Sequence, residues 1–194
     1  MTRRIVYGMG LWATLAATAL TLAAIILPRW LYWDNGDSDS PRLEYGLHKS
    51  CSTVRSGCTP FPRASECRTD PRFCSMWRTV GFFMSFTVML ELVALIAFVV
   101  VILGPKQRRD FGWKITCPLL GLAVATQVSC MAILIHLFNN HPRFIPGWHF
   151  DTSFTLCILS WIIELVAGAG IATAAYLLPE EGGYELIPGE YNYF

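Results

Sequence analysis

The sequence has few charged residues and none of the short motifs that mark common catalytic sites. Asp, Glu, Lys and Arg make up 15% of the chain, and the formal net charge is +1. This balance indicates no nucleic-acid partner. The P-loop, HExxH, GxSxG and GxGxxG patterns are all absent, and with them the usual signs of nucleotide binding, zinc proteolysis and serine hydrolysis. We therefore predict that the protein is not an enzyme and has no catalytic residues, cofactor or metal.

Other patterns are also missing. No Asn-x-Ser/Thr sequon occurs, so N-glycosylation is not expected. No CxxC pair occurs among the seven cysteines, which argues against a zinc site. There is no fixed-period repeat and no long low-complexity run, so a repeat architecture is not indicated.

Long hydrophobic runs are abundant instead. Hydrophobic residues make up 54% of the chain, and the mean hydropathy is +0.43. A bilayer core about 30 Å thick needs about 20 apolar residues per helix, and lipid offers no partner for free backbone groups. We predict one four-span membrane domain, residues 1–178, followed by a cytoplasmic tail, residues 179–194. The predicted spans are residues 5–27, 80–103, 115–138 and 153–178.

The first run could also be a secretory signal peptide. Arg3 and Arg4 precede it, and Ala17-Thr18-Ala19 is similar to a cleavage site. The run is about 23 residues long, however, whereas the apolar region of a signal peptide has about 7–15 residues. We therefore expect a retained helix.

Positive charge predicts the orientation in the membrane. Residues 104–114 hold four Lys or Arg, which is typical of a cytoplasmic turn. Arg3 and Arg4 place the N-terminus on the same side, and four spans return the C-terminus there. The outer loop, residues 28–78, holds eight Lys or Arg but also six acids, and long loops translocate largely regardless of charge. We expect a multi-pass protein of the plasma membrane with both termini cytoplasmic.

The outer loop contains an even number of cysteines, Cys51, Cys58, Cys67 and Cys74, as suits an oxidising compartment. Three connectivities are possible. The equal spacing within the first two and the last two favours two local disulfides, and a cytosolic zinc site is the alternative. Cys117, near the cytoplasmic end of the third span, is either a palmitoylation site or an inert buried thiol.

Local patterns in the outer loop predict a small sheet. Residues 42–48 alternate polar and apolar side chains, as in a half-buried strand. Ser56-Gly57 lies between Cys51 and Cys58, which predicts a disulfide-linked hairpin. Such a sheet buries little surface, and one short disulfide loop contributes about 2–4 kcal/mol.

The loop also resembles the first-loop signature of the claudin superfamily, which is a Trp, then Gly-Leu-Trp-x-x-Cys, then a second Cys. Trp30 is followed by Gly46, Leu47, His48 and Cys51, and then by Cys58; His48 stands where the signature has its second Trp. The layout of four spans, a large first loop and a short second loop is similar too. The stretch Cys58-Thr59-Pro60-Phe61-Pro62 and residues 177–188 are similar to those of filamentous-fungal four-span relatives, so within this superfamily the chain most resembles the fungal PalI-type proteins.

The resemblance implies an all-α transmembrane bundle of four antiparallel helices, left-handed, under a small extracellular antiparallel β-sheet. It also implies a non-enzymatic scaffold or organiser that acts by lateral association and extracellular-loop contacts. The expected partners are membrane lipid, other membrane proteins and further copies of the chain. One alternative is an auxiliary or sensor subunit of a channel, synthase or receptor, and another is a bundle that conducts protons or cations.

Polar residues fall near the middle of the spans. Glu91, Gln127 and Glu164 lie there, and Thr18 lies near the same depth in the first span. A charge at the bilayer centre costs about 2.5–3.5 kcal/mol, so both glutamates should face the interior, where hydrogen bonding or protonation relieves this cost. We interpret them as an interhelical layer that fixes helix register. A proton or cation site and contact with a neighbouring subunit are the alternatives.

Two further patterns have both a functional and an ordinary interpretation. Four histidines fall on the predicted outer side. They could sense external pH or bind a metal, and the alternative is that they are ordinary loop or interface residues. They are His48, His136, His141 and His149. In the tail, Tyr184 and Ile187 fit a Tyr-x-x-hydrophobic sorting signal, and a tail that folds back or is disordered is the alternative.

Overall fold

The computed structural model describes residues 2–34, 42–53, 57–144 and 147–178. Four long helices account for most of these residues, and short helices and strands fill the segments between them. In chain order the elements are α1 (Thr2–Ile26), β1 (Leu31–Trp33), β2 (Leu43–Tyr45), β3 (Lys49–Ser52), β4 (Gly57–Pro60), α2 (Ala64–Thr69), α3 (Pro71–Leu103), α4 (Lys106–Phe111), α5 (Trp113–Asn140), β5 (Trp148–Phe150) and α6 (Thr152–Leu177).

The four long helices pack as a bundle. α1 contacts α3 and α6, and α5 contacts the same two helices from the opposite corner. Each of the four is long and apolar enough to cross a membrane, which indicates a multi-pass membrane protein. The predicted number of helical runs is therefore confirmed.

The second long helix begins earlier than the hydrophobic run predicts. α3 starts at Pro71 rather than near residue 80, because Asp70 caps it. The Asp70 side chain accepts a hydrogen bond from the Phe73 N–H at 3.1 Å, and proline suits the first helical position, where its missing N–H is no loss. Cys74, which we expected in the outer loop, lies on this helical extension.

The strands form one antiparallel sheet over a single end of the bundle. The strand order is β4-β3-β2-β1-β5, so the segment between α5 and α6 adds the edge strand next to β1. We call the sheet together with α2 the cap, and the end that carries it the cap end. Of the alternating residues 42–48, only Leu43–Tyr45 form a strand, because the chain turns at Gly46, whose N–H donates to Lys49 O at 2.8 Å.

Buried apolar side chains form two clusters, one beneath the sheet and one near α4. Indole donors in the first cluster reach backbone carbonyls: Trp30 Nε1 donates to Ala24 O at 2.7 Å, and Trp77 Nε1 donates to Leu47 O at 3.2 Å. The first cluster includes Trp30, Leu47, Phe61, Phe73, Trp77 and Met84. The second consists of Tyr7, Ala94, Phe98, Val101, Leu120 and Ile171.

At the end opposite the cap, side chains of α1 bind α4 and the end of α6. The Arg3 guanidinium lies 3.3 Å from the Asp110 carboxylate and donates to Leu178 O at 2.6 Å. The Tyr7 hydroxyl donates to Arg109 O at 3.0 Å. α1 therefore contacts both α4 and the end of α6, so the basic turn between the second and third long helices is packed against the bundle.

Candidate functional site

Between the two apolar clusters, a buried amide bridges two buried carboxyl groups. Gln127 Nε2 on α5 donates to Glu91 Oε1 on α3 at 3.2 Å and to Glu164 Oε2 on α6 at 3.3 Å. All three side chains are fully buried. The structure thus brings together the three polar residues predicted from their depth along the helices.

Two hydroxyl groups complete this arrangement. Thr21 Oγ1 donates to Glu91 Oε1 at 2.7 Å and lies 2.8 Å from Ser160 Oγ. Ser160 Oγ in turn donates to Ala17 O at 3.0 Å. All four long helices therefore contribute to one hydrogen-bond network. We call Thr21, Glu91, Gln127, Ser160 and Glu164 the polar layer.

On α1 a second threonine joins the residue predicted for this depth. Thr18 lies beside Glu91 as predicted, and its hydroxyl donates to Thr14 O within its own helix at 2.9 Å. Thr21, three residues later, was not predicted for this depth and supplies the hydrogen bond to Glu91 at 2.7 Å. Ser160 was also missed, although it stands four residues before Glu164, on the same helix face.

Each carboxyl group of the polar layer has a second oxygen. Glu91 Oε2 and Glu164 Oε1 are buried and accept no N–H or hydroxyl hydrogen among the described residues, and the two carboxyl groups interact with each other. Buried polar atoms are nearly always paired. A hydrogen bond between two carboxyl groups needs one proton, so the pair is suited to share a single proton in the middle of the bundle.

The cap is held by stacked aromatic rings. Tyr45 on β2 lies between Phe61 and Trp148, with ring centroids 4.5 Å and 4.7 Å away. Phe61 also meets the Trp77 ring edge-on at 5.1 Å. Because Trp77 belongs to α3 and Trp148 to β5, this stack joins both connecting segments to the bundle. Such pairs contribute about 0.5–1.5 kcal/mol each beyond their burial.

The four motif residues of the first loop lie where α1 meets the sheet. Trp30 and Leu47 are buried, and His48 is exposed. Gly46 is required by close packing, because a Cβ there would lie 2.5 Å from the Pro28 Cα. Three of the four therefore serve the fold, and His48 is the one that faces outward.

The cysteines pair as predicted. Cys51 and Cys58 face each other on β3 and β4 and form one disulfide, and Cys67 and Cys74 form the other. The second disulfide joins α2 to the first turns of α3. With all four thiols paired, the zinc alternative is wrong. Cys117 is half-buried, and its thiol lies 3.6 Å from Gly168 O.

The histidines do not form one cluster among the described residues. His141 Nε2 lies 2.6 Å from Asp70 Oδ2, and the His149 ring lies against Tyr32. No group of three or more His, Cys, Asp or Glu side chains that could hold a metal occurs in the described part of the chain. The sorting-signal residues Tyr184 and Ile187 and the turn residue Ser56 lie outside the described residues.

Acid is expected to loosen the cap through Asp70. The Phe73 N–H hydrogen bond, helped by His141 and Arg143, holds the pKa of Asp70 below its ordinary value. Because the pKa of Asp70 is lower in the folded state than in the unfolded state, ionised Asp70 stabilises the fold at any pH above the unfolded pKa of about 3.9. This stabilisation is lost as the pH falls through the pKa of the folded state. The protection of the amides of residues 70–77, measured as their exchange rate relative to that of an unstructured chain at the same pH, should therefore fall below about pH 4.

In Asp70→Asn this acid dependence should be weaker. Asp110→Asn, at the opposite end of the bundle, should keep the wild-type acid dependence in residues 70–77. An unchanged acid dependence in Asp70→Asn would show that other carboxylates govern the cap.

No protein-family model matches the chain, and no curated protein matches it.

Proposed function

We propose that the chain is a non-enzymatic integral membrane scaffold of the claudin superfamily, most similar to its fungal PalI-type members. It would associate laterally in the plasma membrane and use the cap for contacts outside the cell. The observation that carries the proposal is the separation of polar and apolar surface. The polar layer is enclosed, while large apolar side chains cover the outside of all four long helices.

The proposed orientation rests on the contrast between the two ends. The end with α4 carries the basic cluster Lys106, Arg108, Arg109 and Lys114, which favours the cytoplasm. The cap end carries both disulfides, which persist in oxidising compartments. Both termini would then be cytoplasmic.

Lateral association is supported by a groove between α1 and α6. Its volume is about 480 Å³, and its lining includes small residues, which allow close helix approach. Gly170 lies on this outward surface, and a Cβ added there would meet no atom within 4 Å. Gly168, by contrast, faces Leu120 inside the bundle. The groove is lined by Val6, Met9, Gly10, Ala13, Ile162, Ile163, Val166, Ala167, Gly170 and Ile171.

Filling this groove should weaken self-association. Gly170→Ile adds a branched side chain in open space, so the fold should persist while a second copy can no longer approach closely. Energy transfer between labelled copies in bilayers should fall by at least half. Gly121→Ile is the matched control, because Gly121 on α5 is equally open to its surroundings.

Crosslinking and pull-down from native membrane test the proposal as a whole. Recovery of clusters of the chain, sensitive to Gly170→Ile, supports the scaffold. Recovery of a large partner in fixed stoichiometry favours an auxiliary subunit. Wild-type energy transfer in Gly170→Ile would contradict association through this groove.

A conducting bundle is the second candidate function, and the buried pair of carboxyl groups of Glu91 and Glu164 favours it. Proton or cation flux into liposomes that Glu91→Gln abolishes would support conduction over the scaffold. If the reconstituted chain gave no proton or cation flux, conduction would be excluded.

A further inference from the structure

A hollow opens at the cap end of α3, at the level where the helix leaves its apolar section. α3 has 33 residues and is about 50 Å long at 1.5 Å per residue, whereas a bilayer core is about 30 Å thick. Its continuous apolar section begins at Val80. Arg78 and Thr79 therefore stand at the expected boundary between the hydrocarbon and the polar headgroups.

The hollow is amphipathic along this boundary. Its volume is about 480 Å³, and its polar part includes Ser75 and Arg78. Phe82 forms the apolar part, is 65% exposed and stacks parallel to Phe86 at 6.3 Å. The outward apolar surface thus continues from the hollow along the helix. The full lining is Cys67, Pro71, Cys74, Ser75, Arg78, Thr79 and Phe82.

The disulfide between α2 and α3 forms one wall of the hollow. Cys67 and Cys74 both line it, and Arg78 Nη2 lies 3.7 Å from Cys67 Sγ. This disulfide keeps α2 beside α3, so the guanidinium stands at a fixed wall rather than on a free helix surface. A covalent link between the two helices preorganises the hollow in this way, which lowers the cost of binding.

Positive charge in this corner is not balanced by nearby carboxylates. Arg78 makes no ion pair among the described residues, and its one side-chain hydrogen bond there is to the Cys67 sulfur. The two acids of the corner are engaged elsewhere: Asp70 contacts His141 at 2.6 Å, and Glu66 lies 3.7 Å from Arg143. The hollow therefore offers an unpaired guanidinium, and the exposed Arg68 and Arg72 nearby add to the positive potential.

We propose that this hollow binds one anionic phospholipid. The Arg78 guanidinium would hold the phosphate through paired N–H donors, the Ser75 hydroxyl would donate a further hydrogen bond, and one acyl chain would lie along Phe82 and Phe86. A free phosphate uses only the polar half of this surface, whereas a phospholipid uses both halves. The proposal depends on insertion of the bundle in a membrane whose leaflet at the cap end contains anionic phospholipid, and not on the scaffold function.

Photolabelling tests the proposal with the full chain in phosphatidylcholine bilayers that contain a small fraction of photoreactive phosphatidylglycerol. Peptides spanning residues 75–86 should be labelled in preference to other lipid-facing segments, and photoreactive phosphatidylcholine should label them less. Arg78→Gln should lower the labelling about fivefold, which corresponds to the ~1 kcal/mol of one basic residue at a membrane surface.

Two controls separate the charge from the apolar contact. Arg29→Gln removes an exposed guanidinium at the same end but outside the hollow and should leave the labelling unchanged. Phe82→Ala should lower labelling by both lipids. Equal labelling by the two lipids, or wild-type labelling of Arg78→Gln, would overturn the proposal. Displacement of the lipid by inorganic phosphate would overturn it as well, in favour of a simple anion site.

Discussion

Replacing Trp30 by alanine is expected to destabilise the protein by about 3–5 kcal/mol, the largest effect of any single substitution considered. The side chain is fully buried at the junction of α1 and the sheet. Its indole N–H also donates to Ala24 O at 2.7 Å. That carbonyl has no ordinary helical donor, because Pro28 stands four residues later and lacks an N–H. Alanine would therefore leave both a cavity and an unpaired buried carbonyl.

The chain provides a matched control. Trp12 lies on α1, the helix that precedes Trp30, but is 71% exposed, so Trp12→Ala should change the free energy of unfolding by no more than about 0.5 kcal/mol in detergent. Trp30→Phe should fall between the two, since it restores most of the packing without the hydrogen bond. Denaturant titration of the purified protein measures all three. A Trp30→Ala loss as small as that of Trp12→Ala would mean that the indole is not needed to join α1 to the sheet.

Replacing Gln127 by leucine is expected to cost about 2–4 kcal/mol, because a buried acceptor that loses its donor costs about 1–3 kcal/mol. Glu164 Oε2 would lose its amide donor, and Glu91 Oε1 would keep only the Thr21 hydroxyl. Thermal unfolding in detergent measures the loss. Val128→Leu, at a neighbouring but exposed position of α5, is the control and should be nearly neutral.

A second substitution in the same chain distinguishes hydrogen bonding from packing. Adding Glu164→Leu to Gln127→Leu removes both partners, and replacing both by apolar groups is often nearly neutral. The double variant should therefore lose less stability than the sum of the two single variants, by more than about 1 kcal/mol. Simple additivity would mean that the amide and the carboxyl do not interact, and the polar layer would then have no role in helix registration.

The long helices could be predicted because a membrane span needs one signal, a run of about 20 apolar residues. The meeting of Glu91, Gln127 and Glu164 could be predicted for a related reason, since lipid drives polar groups toward the bundle interior. The disulfide pairs followed from their equal spacing. Each of these predictions depends on a strong, local property of the sequence.

The missed features depend on weaker or nonlocal signals. The start of α3 is set by an Asp-Pro cap inside a polar segment, where hydropathy carries no information. β5 has only three residues, too few for an alternating pattern to be recognised, and it exists because β1 offers it an edge. The part that Thr21 plays beside Thr18 depends on which hydroxyl reaches Glu91, and only the three-dimensional arrangement defines that.

The pairing of β5 with β1 has a consequence for biosynthesis. β1 follows the first long helix, whereas β5 lies between the last two. During synthesis one side of β1 must stay open until the third long helix and β5 have been made, and an open strand edge is a site where other chains can add. Closure of the sheet thus requires the first three long helices to be in place, and it can precede the insertion of α6.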